Sequence, residues 1–118
     1  MTANSYYWAL LNQLAGVLRT DNNACHFLML KRYGTYEVIS VRSDININGY
    51  FKYYEAIGTG HINGREFTHY KIYKGSSQMN SKEFSVLLDG VISECKEVGI
   101  PTLTPEEVSK LKYIEGKD

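Results

Sequence analysis

The sequence predicts an α+β fold: two N-terminal helices, a small antiparallel sheet with a hairpin, and a C-terminal helical pair packed against it. Apolar residues recur at helical spacing near both ends of the 118-residue chain. The middle holds a β-branched run, "TYEVISVRS" (35–43). The same region carries Asn63-Gly64, the pair that suits a two-residue type I′ hairpin. A single domain over residues 1–118 is expected, because a chain of this length supports one modest core.

The first helix has Asn4 or Ser5 as its expected cap. Tyr7, Leu11, Leu14 and Leu18 recur at helical spacing, flanked by Leu10, Ala15 and Val17. Arg19 closes it, favourably placed for the helix dipole. "TDNNACHFLMLKRYG" (20–34) predicts a second, short helix with Thr20 or Asp21 at its N-cap, Lys31 and Arg32 in the last turn, and Gly34 at C′. Its core, "HFLML", also fits a buried strand. After the strand at 35–43 comes a loop, "DINING" (44–49), and then "YFKYYEAI", which fits either a strand or a short helical turn. On the returning arm of the hairpin, Phe67, His69, Lys71 and Tyr73 alternate with Thr68, Tyr70 and Ile72. Lys71 and Tyr73 therefore share one face, and Tyr70 and Ile72 the other. The third helix begins with a capping-box pair, Asn80 and Glu83. It continues with the stripe Phe84, Leu87, Leu88, Val91, Ile92, Cys95 and Val98, and ends at Gly99. "TPEE" (104–107) starts the fourth, with Thr104 as cap, Pro105 at N1 and Glu107 at N3.

Composition places the chain among ordinary soluble proteins, with 43% apolar and 22% charged residues. No apolar run approaches the ~18 residues of a membrane span, and the N-terminus lacks the features of a secretory signal. A cytoplasmic location without a membrane partner is expected, with Cys25 and Cys95 as buried thiols rather than a disulfide. Net charge is zero, which excludes a strongly cationic nucleic-acid binder. The charge is unevenly spread, however. Residues 65–82 hold Arg65, Lys71, Lys74 and Lys82 against Glu66 alone, while residues 83–118 hold eight acids and four bases. The ten tyrosines include a cluster at Tyr50, Tyr53 and Tyr54 beside Phe51. They suit stacking or interface positions, and equally half-buried ones.

No catalytic residue, metal site or cofactor is expected, so the chain reads as a non-enzyme. His61, His69 and Glu66 could form a nuclease-like metal site on the hairpin, but no tight ligand spacing supports one. There is no nucleophile elbow, and Gly58-Thr59-Gly60 precedes a strand arm instead of the helix a phosphate loop needs. The remaining candidate is "YKGSSQMNSKEF" (73–84). It can be a helix cap and connector, or an anion-binding loop in which Lys74 and Lys82 supply charge, Gly75 permits close approach, and Ser76, Ser77 and Asn80 donate hydrogen bonds.

The stretch "KGSSQMNSKEFSVLLDGVISECKEVGI" resembles the NinB (Orf) family of phage recombination proteins. In that family a strand leads into a Ser-x-Ser or Ser-Ser-x-Met segment and a helix with Glu-Phe near its start, a Leu-Leu or Leu-Ile pair and a closing Gly-Val or Gly-Ile. "TANSYYWALLNQLAGVLRT" resembles the family's Asn-bearing aromatic helix, and "LMLKRYG" and "GIPTLTPEEVSKL" are similar to short prophage proteins of Gram-positive bacteria. Both ends of the chain are covered, but not its tyrosine-rich middle. Family members usually carry a further β-containing segment ahead of the Asn-bearing helix, whereas this chain starts at that helix. If that segment shapes the family's dimer or DNA channel, either differs here.

The resemblance implies a non-enzymatic accessory of phage recombination or replication. Such a protein binds single-stranded DNA as a homodimer and engages the host single-strand-binding protein or the recombinase. Lys74, Ser76, Ser77, Met79 and Asn80 match the family's motif and are carried over without assigned roles. With the charges and rings nearby, the candidate nucleic-acid-binding set is Lys71, Tyr73, Lys74, Ser76, Ser77, Asn80, Lys82, Tyr53 and Tyr54. Single strands are held by cations plus aromatic platforms, which these residues could supply. The alternative is a phage-encoded protein-binding module, an inhibitor or adaptor of a host or defence protein, which the neutral charge and excess of tyrosine also fit.

Overall fold

A computed structural model describes residues 1–116, with side chains through Tyr113. The element order is α1 (Ala3–Leu18), α2 (Asn22–Tyr33), β1 (Tyr36–Arg42), β2 (Tyr54–Ile62), β3 (Arg65–Tyr73), α3 (Ser81–Glu97) and α4 (Pro105–Gly116). The class is α+β, as the sequence predicts. The chain divides into two compact units, a helical one (1–34 and 79–118) and a sheet unit (35–78). Among the described residues, no helix is long and apolar enough to cross a membrane.

In the helical unit, α1 starts earlier than expected. Thr2, not Asn4 or Ser5, is the N-cap: its hydroxyl accepts the Ser5 N–H at 3.0 Å, and the Ser5 hydroxyl accepts the Thr2 N–H at 3.0 Å. Serine at N3 can complete a capping box in place of the usual Glu, so Ser5 belongs inside the helix. Arg19 ends α1 through its backbone, in the left-handed region at φ 57°. The α2 N-cap is Asp21, whose carboxylate accepts the Ala24 N–H at 2.7 Å, and "HFLML" is helical. Gly34 caps α2 at φ −85°, so left-handed freedom is not its purpose. A Cβ there would lie 2.5 Å from the Leu30 carbonyl oxygen, and glycine alone allows that approach. The expected capping boxes of α3 and α4 form, Asn80 with Glu83 and Thr104 with Glu107.

The apolar stripes of these helices meet in one core. Tyr7, Leu10, Leu11, Leu14, Met29, Leu30, Leu87, Leu88 and Val91 are fully buried, each such side chain stabilising the fold by about 1.5–3 kcal/mol. Leu18 and Val98, expected on the stripes, are exposed at the helix ends. The Tyr33 ring of α2 lies where a side chain on Gly90 of α3 would otherwise be. Cys25 and Cys95 are buried free thiols. Burial pushes Cys95 up to about 11, with Cys25 and Glu94 adding to the effect. His26 is buried, and its Nδ1 lies 2.7 Å from the Tyr7 hydroxyl.

The sheet is antiparallel in the order β1-β3-β2. Asn63 and Gly64 both have positive φ, 51° and 79°, as a type I′ turn requires, and Ile62 pairs with Arg65. The ambiguous "YFKYYEAI" resolves into turn followed by strand, with β2 beginning at Tyr54. Gly58 and Gly60 lie inside β2 and not in a phosphate loop. A register shift between Ala56 and Gly58 leaves Ile57 as the extra residue of a bulge. Buried apolar residues in this unit are Ile47, Tyr53 and Tyr73.

Candidate nucleic-acid interface

The register of the sheet sorts its charges by face. Residues directly opposite across antiparallel strands share a face, so the alternation of β3 can be carried to both neighbours. Phe67, His69, Lys71 and Tyr73 of β3 lie beside Arg42, Ser40, Val38 and Tyr36 of β1, and on the other side Lys71 pairs with Glu55 and Arg65 with Ile62. This face therefore carries three permanent cations, Arg42, Arg65 and Lys71, against Glu55. The reverse face carries Glu37 and Glu66 with Ile39, Val41, Tyr54, His61, Tyr70 and Ile72, and has no lysine or arginine among its paired positions.

On the basic face the side chains touch. The Lys71 ammonium lies 4.6 Å from the centre of the Tyr36 ring, within cation–π range, and the Tyr36 ring lies 5.8 Å from Tyr73. The Tyr73 hydroxyl donates to Glu55 at 2.6 Å. Burial, then this bond and the carboxylate's charge, push that hydroxyl up to about 12. The one acid on the face is thus engaged by a neutral donor. Further along, the Ser40 hydroxyl lies 2.7 Å from His69 Nδ1, and Arg42 pairs with Asp44 at 2.7 Å.

Two clefts lie at the ends of this sheet. Where β1 begins and β3 finishes, a cleft of about 490 Å³ is lined by Tyr36, Phe51, Tyr73, Lys74 and Gln78 together with Thr35, Glu37 and Ile72. Tyr36 is 50% exposed and Phe51 36%, so both rings are accessible. At the opposite end, Arg42, Ser43, Asp44, Arg65 and Glu66 line a cleft of about 410 Å³.

The candidate residues named from sequence do not share one surface. Lys71 stands on the basic face, and Lys74 lines the first cleft, its N–H bonded to the Thr35 carbonyl at 2.9 Å. Ser76 and Ser77 follow in a single 3₁₀ turn, Ser76–Gln78. Tyr53 and Tyr73 are corrected as stacking platforms: at 8% and 5% exposure, neither ring offers a face to a base. Tyr54 points to the reverse face, edge-on to Tyr70 at 5.9 Å, with its hydroxyl on Asn48. Asn80 and Lys82 belong to the helical unit. The Asn80 side-chain oxygen is occupied by the cap, and Glu83 brings a carboxylate to the same helix end, which works against an anion there. Met79 is half-buried.

The metal-site alternative fails geometrically, because His61 and Glu66 pair on the reverse face while His69 lies on the basic one. Sequence reasoning missed Tyr36, Phe51, Arg42 and Arg65 as members of the candidate interface. The parity of Arg65 with Lys71 was available from the hairpin. The placement of Tyr36 and Arg42 depended on the pairing of β1 with β3, which no local signal encodes. Comparison of the chain with protein-family models, with curated proteins and with solved structures finds no match.

Proposed function

We propose that the chain binds single-stranded DNA on the basic face of its sheet and acts as a non-enzymatic accessory of phage recombination or replication in the host cytoplasm. The observation that carries this reading is the meeting of accessible rings with a cation at one cleft, Tyr36 and Phe51 with Lys74, and the Lys71 ammonium over the Tyr36 ring. A base stacked on such a ring contributes about 1–3 kcal/mol, and the lysines are placed for the adjoining phosphates. The resemblance of the chain's ends to the NinB family supports the recombination setting. It also supports a homodimer and contact with a host single-strand-binding protein or recombinase.

Fluorescence anisotropy with labelled oligo-dT at low salt tests the proposal. Tyr36→Ala should weaken binding by about 5- to 100-fold, the equivalent of one lost stacking partner. His61→Ala, exposed on the reverse face, should change it less than about twofold. Absence of binding by the unaltered protein, or equal losses in the two variants, overturns the assignment.

A second reading, a protein-binding module, draws on a different observation. β1 is a sheet edge of seven residues with no register shift against β3. Tyr36 and Val38 are half or more exposed along it, and such an edge is a template for an added strand. Capture of a stoichiometric partner from bacterial lysate after nuclease treatment, with no affinity for oligo-dT, favours that reading.

A further inference from the structure

We infer that the basic face is a track with two ends, and that Arg42 and Arg65 form a second phosphate subsite at the hairpin end of the sheet. The inference rests on the proposed binding of single-stranded DNA at the Tyr36 end. Its ground is the register: Lys71 and Arg65 stand on the same strand and the same face, six residues apart, with Arg42 on the neighbouring strand opposite Phe67. Each residue of an antiparallel strand advances ~3.4 Å, so the two ends lie about 20 Å apart. Along its axis a stacked duplex carries one phosphate of each strand per ~3.4 Å, and an extended single strand advances further per nucleotide. The span therefore fits about three to six nucleotides.

The chemistry of the far end suits a phosphate. Two guanidinium groups line one cleft of about 410 Å³, and guanidinium offers paired N–H donors that match phosphate oxygens. Asp44 and Glu66 also line that cleft. Asp44 holds Arg42 in an ion pair whose side chains are 46% and 65% exposed, a solvent-screened contact that an incoming phosphate can replace. Glu66 stands opposite His61 in the strand register, on the reverse face. Between the ends, the half-buried rings of Phe67 and His69 lie on the track's own face, where they can line the path of a strand.

The test is an oligo-dT length series, measured by anisotropy for the full chain and for Arg42→Ala/Arg65→Ala, with Arg42→Gln/Arg65→Gln as a second charge-free variant and circular dichroism as the folding control. For the unaltered protein, affinity should rise with length and level off at about six nucleotides. The variants should lose about tenfold or more on the longer strands and less than twofold on the shortest that bind. Longer strands bound as tightly by both variants as by the unaltered protein overturn the subsite and leave the Tyr36 end standing. No binding by the unaltered protein overturns both. Inorganic polyphosphate that competes as well as oligo-dT of equal charge identifies a general polyanion site and overturns the nucleic-acid track.

Discussion

Gly90→Ala and Gly16→Ala should change stability in opposite directions, although both glycines lie within α-helices. Helix propensity alone gives each replacement a gain of up to about 1 kcal/mol. Around Gly16 nothing lies within 4 Å of the added Cβ, so the exposed α1 site should realise most of that gain, about 0.5–1 kcal/mol. At Gly90 the Cβ would meet three atoms of the Tyr33 ring at 2.2, 2.4 and 2.5 Å. Those atoms belong to the near part of the ring, so relief requires Tyr33 to turn out of its place between α2 and α3. Overpacking of this kind costs about 1–3 kcal/mol. Set against the propensity gain, the net loss is up to about 2 kcal/mol. Urea denaturation of both variants reads the two signs directly, through a shifted midpoint at unchanged slope. If Gly90→Ala stabilises as much as Gly16→Ala, the reasoning about the α2–α3 contact is refuted.

Three further outcomes are expected. Asn80→Ala should cost about 1 kcal/mol by removing one arm of the α3 capping box, while oligo-dT affinity changes less than about twofold because that oxygen is occupied by the cap. Spectroscopic titration of tyrosinate should show Tyr73 ionising late. Its folded value of about 12 lies above the ordinary 10, so its contribution to stability is complete below pH 10 and is lost as pH rises through 12. Tyr73→Phe should abolish that late step. Thiol labelling of Cys95 under native conditions should be slow and should accelerate on unfolding, since burial holds the thiol protonated near neutral pH and out of reach.

The helices were legible because their signals are local. The Asn80–Glu83 and Thr104–Glu107 boxes, the 3.6-residue stripe of α3 and the Asn63-Gly64 turn each depend on residues a few positions apart. The α1 cap lies two or three residues earlier than expected because a Ser5 hydroxyl can do what Glu usually does at N3. Gly34 follows α2 as the sequence predicts, but its contact with the Leu30 carbonyl is what requires glycine. The candidate interface was less legible. Alternation along β3 put Lys71 and Tyr73 on one face, but alternation does not reveal depth, so Tyr73 was read as a platform when it is a buried donor to Glu55. Tyr36 and Phe51 entered only through the pairing of β1 with β3 and the turn before β2, contacts between residues distant in sequence.

Oligo-dT affinity measured against salt concentration tests most directly whether the sheet binds DNA through its basic face. With Lys71, Lys74, Arg42 and Arg65 meeting about three or four phosphates, the logarithm of affinity should fall with the logarithm of salt at a slope of about −2 to −3, at ~0.7 per phosphate on a single strand. Lys71→Ala should flatten that slope by about 0.7. No detectable binding at about 50 mM salt, or binding whose slope is near zero in this range of screening, contradicts it.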